Sequence, residues 1–390
     1  MRVEDFIRHS AARHASKVAL VAGGRRFAYG ELDQASDGLA RTLAAHGIAR
    51  GERVLVYMDN CWEAVVAIFA ILKAGAVFSP INPSTKADKL AYVLNSCRAT
   101  AVFTQKKLLP QANAAVATAP SVRLVITAGG SELPGAPEHL SFETALAADS
   151  SAEALPFPGI SLDLAMLVYT SGSTGFPKGV MMTHANVVAA AGSITTYLDM
   201  QPDDVVLSVL PISFDYGLYQ ILMAFRMGAT LILEKSFAFP QAILNRLAEE
   251  QATGFPLVPT MAAILLQMKD LQPGRFPHLR FITNTAAALP PAHIAQLRAL
   301  FPATRLFSMY GLTECKRCTW LPPAELDRRP GSVGIAIPGT EAYVVDDTGA
   351  RAGPHEVLDG VAVRRAGDVL LDDRARIELL GDVVGGRPDQ

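Results

Sequence analysis

Short apolar runs alternate along this chain with longer stretches whose apolar positions recur every third or fourth residue. Residues 36–48 (SDGLARTLAAHGI) carry the helical repeat, and Gly51 opens a strand-like run, ERVLVYM. The pattern then predicts a helix over 61–73, a short strand over 76–81 ending at Asn82-Pro83, a helix over 86–96 and a strand at TAVFT. Further short apolar runs follow: LVIT near 124, MLVYT at 166, VVLSVL at 205, ATLILE at 229 and RFIT at 280. Helices alternating with short buried strands indicate an α/β protein with largely parallel sheets. Pro- and Gly-rich turns at 129–137 and 154–160 separate blocks. Beyond about residue 330 the helical repeat fades and short strand-like runs (EAYVVDD, GVAVRR, DVLLD, RIELLG) remain. The expected organisation is an α/β subdomain over 1–155, a second over 156–329 and a small β-rich subdomain over 330–390.

Composition narrows the field. The chain has 390 residues, half of them hydrophobic, and a formal net charge of −2. That near-balance gives no reason to expect a nucleic-acid or anionic-membrane partner. The N-terminus, MRVEDFIRHSAARHASK, has no apolar core of a signal peptide, and no apolar run reaches the ~20 residues of a membrane span. A cytoplasmic location is expected. Four cysteines make no disulfide scaffold, and the lone Cys315-x-x-Cys318 lacks the second pair or histidines of a zinc site. Ordinary thiols are expected.

The segment that carries chemistry is Tyr169-Thr170-Ser171-Gly172-Ser173-Thr174-Gly175-Phe176-Pro177-Lys178-Gly179. It follows the strand MLVYT and precedes a helix-like stretch, HANVVAAAGSI. Glycines let the backbone curl with N–H groups inward, forming an anion-binding nest. The hydroxyls add donors for phosphate oxygens and Lys178 adds positive charge. A flexible Ser/Gly linker would need neither the preceding strand nor the embedded Pro-Lys-Gly, and the spacing is not that of a Walker A loop.

On these residues the chain resembles the adenylate-forming (AMP-binding) superfamily: acyl-CoA synthetases, nonribosomal-peptide adenylation domains and luciferases. Six further elements carry the resemblance in order: Tyr29-Gly30-Glu31-Leu32, the segment LKAGAVFSPINP at 72–83, Met309-Tyr310-Gly311-Leu312-Thr313-Glu314, Gly331-Ser332-Val333-Gly334 with Pro338-Gly339, Ala366-Gly367-Asp368-Val369, and Gly386-Arg387-Pro388-Asp389. The resemblance implies the superfamily's N-terminal fold, two packed, largely parallel sheets flanked by helices plus a small β subdomain. It also implies ATP and Mg²⁺ as cofactors. Thr170, Ser171, Gly172, Ser173, Thr174, Gly175 and Lys178 would hold phosphates, Tyr310 would stack on adenine and Gly311 would also belong to the cofactor-binding set. Thr313 would bond the α-phosphate. Glu314, with Thr174, would hold the Mg²⁺, and Asp368 and Arg387 would face the ribose. The backbone of Ala286 and Ala287, where relatives often have Gly-Gly, would line the adenine pocket. Thr174, Lys178 and Glu314 are the candidate catalytic residues.

Segment 211–220 (PISFDYGLYQ) faces the acid in this superfamily. Phe214-Asp215 is similar to the Phe-Asp of amino-acid adenylation domains, where the carboxylate pairs with the substrate ammonium; Tyr216, Tyr219 and Met309 would shape the pocket. The bland alternative is that Asp215 caps a helix starting at Tyr216. Relatives continue past the Gly-Arg-x-Asp motif into a small C-terminal lid bearing a catalytic lysine. This sequence stops at Gln390, so a form without that lid is expected, with low activity. The stretch 353–366 is also shorter than in typical relatives. The function implied is activation of a carboxylic acid as its acyl-AMP, an amino acid first, for transfer to a carrier-protein phosphopantetheine or to coenzyme A. An acyl- or aryl-CoA ligase and a non-catalytic nucleotide-binding module are the alternatives.

Overall fold

The structure, a computed structural model, describes residues 1–130, 137–147, 159–170, 177–315 and 317–344, with short strands at 357–358, 361–362 and 377–380. The chain divides into two compact units, Met1–Gly192 with Met200–Phe239, and Ser193–Asp199 with Pro240–Gln390. These units cut the chain elsewhere than at residues 155 and 329.

In the first unit the strands are β1 (Val18–Ala22), β2 (Arg25–Ala28), β3 (Arg53–Tyr57), β4 (Val77–Ile81), β5 (Ala99–Gln105), β6 (Leu124–Ala128), β7 (Glu138–Ser141), β8 (Leu164–Thr170), β9 (Lys178–Thr183), β10 (Val205–Ser208) and β11 (Thr230–Leu233). Its helices are α1 (Asp5–His14), α2 (Tyr29–Ala45), α3 (Trp62–Lys73), α4 (Ala87–Ser96), α5 (Leu109–Val116), α6 (Phe142–Leu146) and α8 (Asp215–Met227), while the residues of α7 (His184–Leu198) are shared between the units. A seven-stranded sheet runs β7-β6-β5-β3-β4-β8-β9, parallel except where β9 turns back on β8. A second run, β10-β11-β1-β2, pairs the N-terminal strand β1 in parallel with β11, with Leu20 opposite Leu231.

Helix α3 is buried on all sides from Ala64 to Lys73, as an element between two sheets must be. It packs on β3 and β4 while α8 packs on β10 and β11, and the two helices meet through Phe69 and Phe225, stacked with centroids 5.1 Å apart. Lys73 ends α3 fully buried, and its Nζ lies 2.6 Å from Asp33 and 2.8 Å from Asp37 on α2. The other face of the seven-stranded sheet is covered by α4 and α5 through Leu90, Leu94, Ala112 and Val116.

The second unit holds α9 (Pro240–Glu249), β12 (Gly254–Leu257), α10 (Pro259–Gln267), β13 (Phe281–Asn284), α11 (Pro291–Leu300), β14 (Arg305–Tyr310), β15 (Thr319–Leu321) and β16 (Ile335–Ala336). Strands β12, β13 and β14 are parallel neighbours, and β15 and β16 continue them antiparallel. Beyond them β17 (Glu341–Val344) pairs with β20 (Ile377–Leu380), and β18 (Val357–Leu358) with β19 (Val361–Ala362), so the described part of the last block is strand-rich as expected. Among the described residues no helix is long and apolar enough to cross a membrane.

Candidate active site

The expected nucleotide and acid residues fall in both units, and each group is described in its own. In the first unit, β8 and β9 form a hairpin whose connection is the glycine- and hydroxyl-rich segment. Thr170 ends β8 directly opposite Lys178, which opens β9. The sequence reading placed a helix after this segment; a six-residue strand comes first, and α7 follows it. Lys178 is exposed and Thr170 half-buried. A Cβ on Gly179 would stand 3.2 Å from the Tyr169 ring, so the absent side chain lets that ring lie across the strand pair. Ser171, Gly172, Ser173, Thr174 and Gly175 lie outside the described residues, as do Asp368 and Arg387.

The acid segment leads from β10 into α8. Phe214 is 55% exposed and Asp215 begins the helix, half-buried. The helix starts at Asp215 rather than Tyr216 and Phe214 is its N-cap, without a side-chain cap bond; Oδ1 of Asp215 accepts the Tyr216 N–H at 2.9 Å in the first turn, where negative charge is favoured. Among the described residues, Oδ2 has no protein donor. Tyr216 and Tyr219 are buried within α8, and the exposed part of the segment is Pro211 and Phe214. Gly217 in the first turn allows a close approach: a Cβ there would meet the Pro211 carbonyl oxygen at 2.2 Å.

In the second unit, β13 and β14 run side by side with Asn284 opposite Ser308. Strand alternation puts Ser308 and Tyr310 on one face of β14 and Phe307 and Met309 on the other. The Met309 face is packed shut: Tyr197 stacks on Trp320 with centroids 4.8 Å apart, and its hydroxyl lies 2.8 Å from the Met309 sulfur. Tyr310 is half-buried, and burial followed by the nearby Cys318 and Cys315 thiols holds its phenol above the usual range. After Tyr310 the chain forms a hairpin loop closed by the Cys318 N–H on the Tyr310 carbonyl at 2.9 Å. That loop carries Gly311, Thr313 and Glu314, with Glu314 exposed. Cys315 and Cys318 are thiols rather than a disulfide.

The turn after β13 contains Ala286 at φ +75°, a left-handed conformation unusual for alanine. The Asn284 amide donates to the Ala287 carbonyl at 3.0 Å and pins the turn. Sequence reasoning named this turn but gave the Asn284 side chain no role, since one asparagine at a strand end carries no pattern. An exposed single carboxylate such as Glu314 suits Mg²⁺, which keeps most of its waters and draws other ligands from substrate phosphates. Among the described residues no group of three or more His, Cys, Asp or Glu could form an all-protein cage.

A family model of AMP-binding enzymes matches residues 7–365. This chain belongs to that family. The chain is 32% identical over 352 residues to phosphinothricin tripeptide synthetase PhsC of Streptomyces viridochromogenes, covering 89% of this chain and 30% of that protein. It is 30% identical over 355 residues to an L-proline–[L-prolyl-carrier protein] ligase of Streptomyces coelicolor, covering 88% of this chain and 65% of that protein. The chain therefore spans less than a third of the first and just under two thirds of the second. Among solved structures, a crystal structure of VinN superposes with a TM-score of 0.79 at 32% identity, covering 91% of this chain and 86% of that one. VinN has also been solved with L-aspartate, and that complex superposes with a TM-score of 0.76 at 31% identity.

Proposed function

We propose that this AMP-binding enzyme activates an amino acid as its aminoacyl-AMP for transfer to a carrier-protein thiol. The observation that carries the reading is the Asp215 carboxylate: half-buried at the start of α8, one oxygen taken by its own helix and the other, among the described residues, without a protein donor. A substrate ammonium supplies the N–H and the positive charge such an oxygen lacks. The similarity to a prolyl-carrier ligase and to VinN, solved with L-aspartate, points the same way.

In this reading the substrate carboxylate attacks the α-phosphorus of ATP in line, pyrophosphate leaves and a mixed anhydride forms. The protein's part is positioning and charge stabilisation, with no covalent enzyme intermediate. Lys178 and the 170–175 hydroxyls hold the β- and γ-phosphates, Tyr310 stacks on adenine and Thr313 bonds the α-phosphate. Magnesium held at Glu314 would neutralise phosphate charge.

The test compares an amino acid with its des-amino analogue in equilibrium binding and in pyrophosphate exchange. A hydrogen bond to a charged group contributes about 1.5–3 kcal/mol, or roughly 10- to 150-fold in affinity. Asp215→Asn is expected to weaken the amino acid by that much and to leave the des-amino acid within about twofold. Equal losses for both would return Asp215 to a helix-start role alone.

A further inference from the structure

We infer that Asn60 is the positioning residue that sets the acid pocket, tying the segment before Asp215 to both sheets of the first unit. The inference rests on the reading of segment 211–220 as the acid-facing segment. Asn60 follows β3 and is only 5% exposed. Its side chain uses one acceptor and both donors at once. Oδ1 accepts the Ile212 N–H at 3.0 Å; Nδ2 donates to the Leu210 carbonyl at 2.9 Å and to the Glu234 carbonyl at 2.8 Å. The first two contacts bracket Pro211, and the third reaches the residue that follows β11. Few other side chains place two donors and an acceptor on so short a planar arm.

The partners are themselves fixed. Glu234 continues the β10–β11 ladder through its N–H on the Ser208 carbonyl at 2.9 Å. On the Asn60 side, the Asp59 N–H donates to Gln105 at the end of β5 at 3.0 Å, and Gln105 donates in turn to the Cys61 sulfur at 3.4 Å. On the far side of the segment, α8 presses in through Gly217, and the Phe214 N–H closes on the Pro211 carbonyl at 3.1 Å. Residues 210–214 are thus held by an asparagine and by a helix that leaves no room for a Cβ at Gly217. The direction in which Phe214 and Asp215 leave that clamp is set by Asn60, although Asn60 itself touches no substrate.

The consequence is a split between ligands. Disturbing Asn60 should move the acid-facing segment and leave the nucleotide-binding residues alone. The experiment uses the full chain, with Asn60→Ala, which removes all three bonds, and Asn60→Asp, which keeps the acceptor for Ile212 and sets a carboxylate oxygen against two carbonyls. Dissociation constants are measured by calorimetry for AMP and for the best-bound amino acid from a screen. Both variants are expected to bind the amino acid at least tenfold more weakly and AMP within twofold of the unaltered chain.

Parallel losses for amino acid and AMP would make Asn60 a general stability residue and overturn the inference; so would no loss for either. Amide exchange on the unaltered chain provides a check that needs no variant to fold. The Ile212 N–H should exchange with the slow strand amides, and exchange at the rate of an open loop would overturn the inference. The underlying reading fails differently: the unaltered chain would then bind no amino acid or other carboxylic acid at all.

Discussion

Replacing Ala286 by glycine should stabilise the protein, while the same change one residue later should destabilise it. Ala286 stands at φ +75°, whereas Ala287 does not have positive φ. An L-residue in the left-handed region costs roughly 1–2 kcal/mol, which glycine avoids. Glycine returns about 0.4–1 kcal/mol of that through its freer unfolded chain. The net expected gain for Ala286→Gly is therefore ~0.5–1 kcal/mol. Ala287→Gly gains nothing in the folded state and should lose ~0.4–1 kcal/mol. For a domain of about 150–250 residues, 1 kcal/mol moves the melting temperature by roughly 2–4 °C. The two variants should thus bracket the unaltered protein from opposite sides in calorimetry or denaturant titration. Function should move against stability. A turn held rigid in the empty protein needs no ordering when adenine binds, so Ala286→Gly should weaken AMP by roughly two- to fivefold. Equal destabilisation by both variants would refute the strain argument. A more stable Ala286→Gly with unchanged AMP affinity would separate the strain from nucleotide binding.

Other outcomes follow from single contacts. Glu314→Gln should weaken Mg·ATP more than AMP in calorimetry, because Mg²⁺ held at Glu314 would neutralise phosphate charge that AMP lacks; equal losses would remove Glu314 from the metal. Lys73→Met should cost ~1–3 kcal/mol by leaving the partly exposed Asp33 and Asp37 without their shared partner, and adding Asp33→Asn and Asp37→Asn should recover most of it. His184 is 2% exposed, its Nδ1 accepts the Val3 N–H at 3.1 Å, and burial, aided by Arg2, lowers its pKa from 6.5 to about 4. Its contribution is therefore present above pH 6.5 and lost as pH falls towards 4. Glu4, 3.5 Å from that ring and raised by burial to about 7, titrates with the opposite sign, its stabilisation lost as pH rises through 7. The readout is accordingly the difference between the unaltered chain and His184→Gln, which should grow by up to ~3 kcal/mol between pH 4 and 6.5.

Most parallel strands were legible because each is a short run of apolar residues bounded by turn formers. Val205–Ser208, Thr230–Leu233 and Phe281–Asn284 lie where the pattern put them. Several strands were not, and three cases show why. The hairpin of β1 and β2 owes its place to a partner far along the chain. Strand β9 is an edge strand reading KGVMMT, half small or exposed, so it carries no apolar run. Strand β12 contains Pro256, which reads as a turn although the strand pairs on both sides of it. The motifs around Tyr310 and Lys178 were visible as residue types in order. What they could not tell is that Met309 and Tyr310 face opposite ways, one shut behind Tyr197 and Trp320. Asn60 and Asn284 were invisible for a simpler reason: their partners are backbone groups, which have no signature in a sequence.

The pairing of β1 with β11 bears on how the chain is made. The Tyr29 hydroxyl donates to the Ala229 carbonyl, 200 residues away. At ~5–20 residues per second, a ribosome needs roughly 10–40 s to supply that partner. Every parallel pair of the seven-stranded sheet and the β8–β9 hairpin are complete by Thr183. That sheet can assemble while Leu20 and Val21 of β1 still wait for their β11 partners, Leu231 and Ile232. Shortening α7 or the loops that follow it would shorten the wait only slightly. Transposing residues 1–45 to follow Phe239 would bring each strand of that second run to its neighbour as it emerges, while making Lys73 of α3 wait instead for Asp33 and Asp37 of α2.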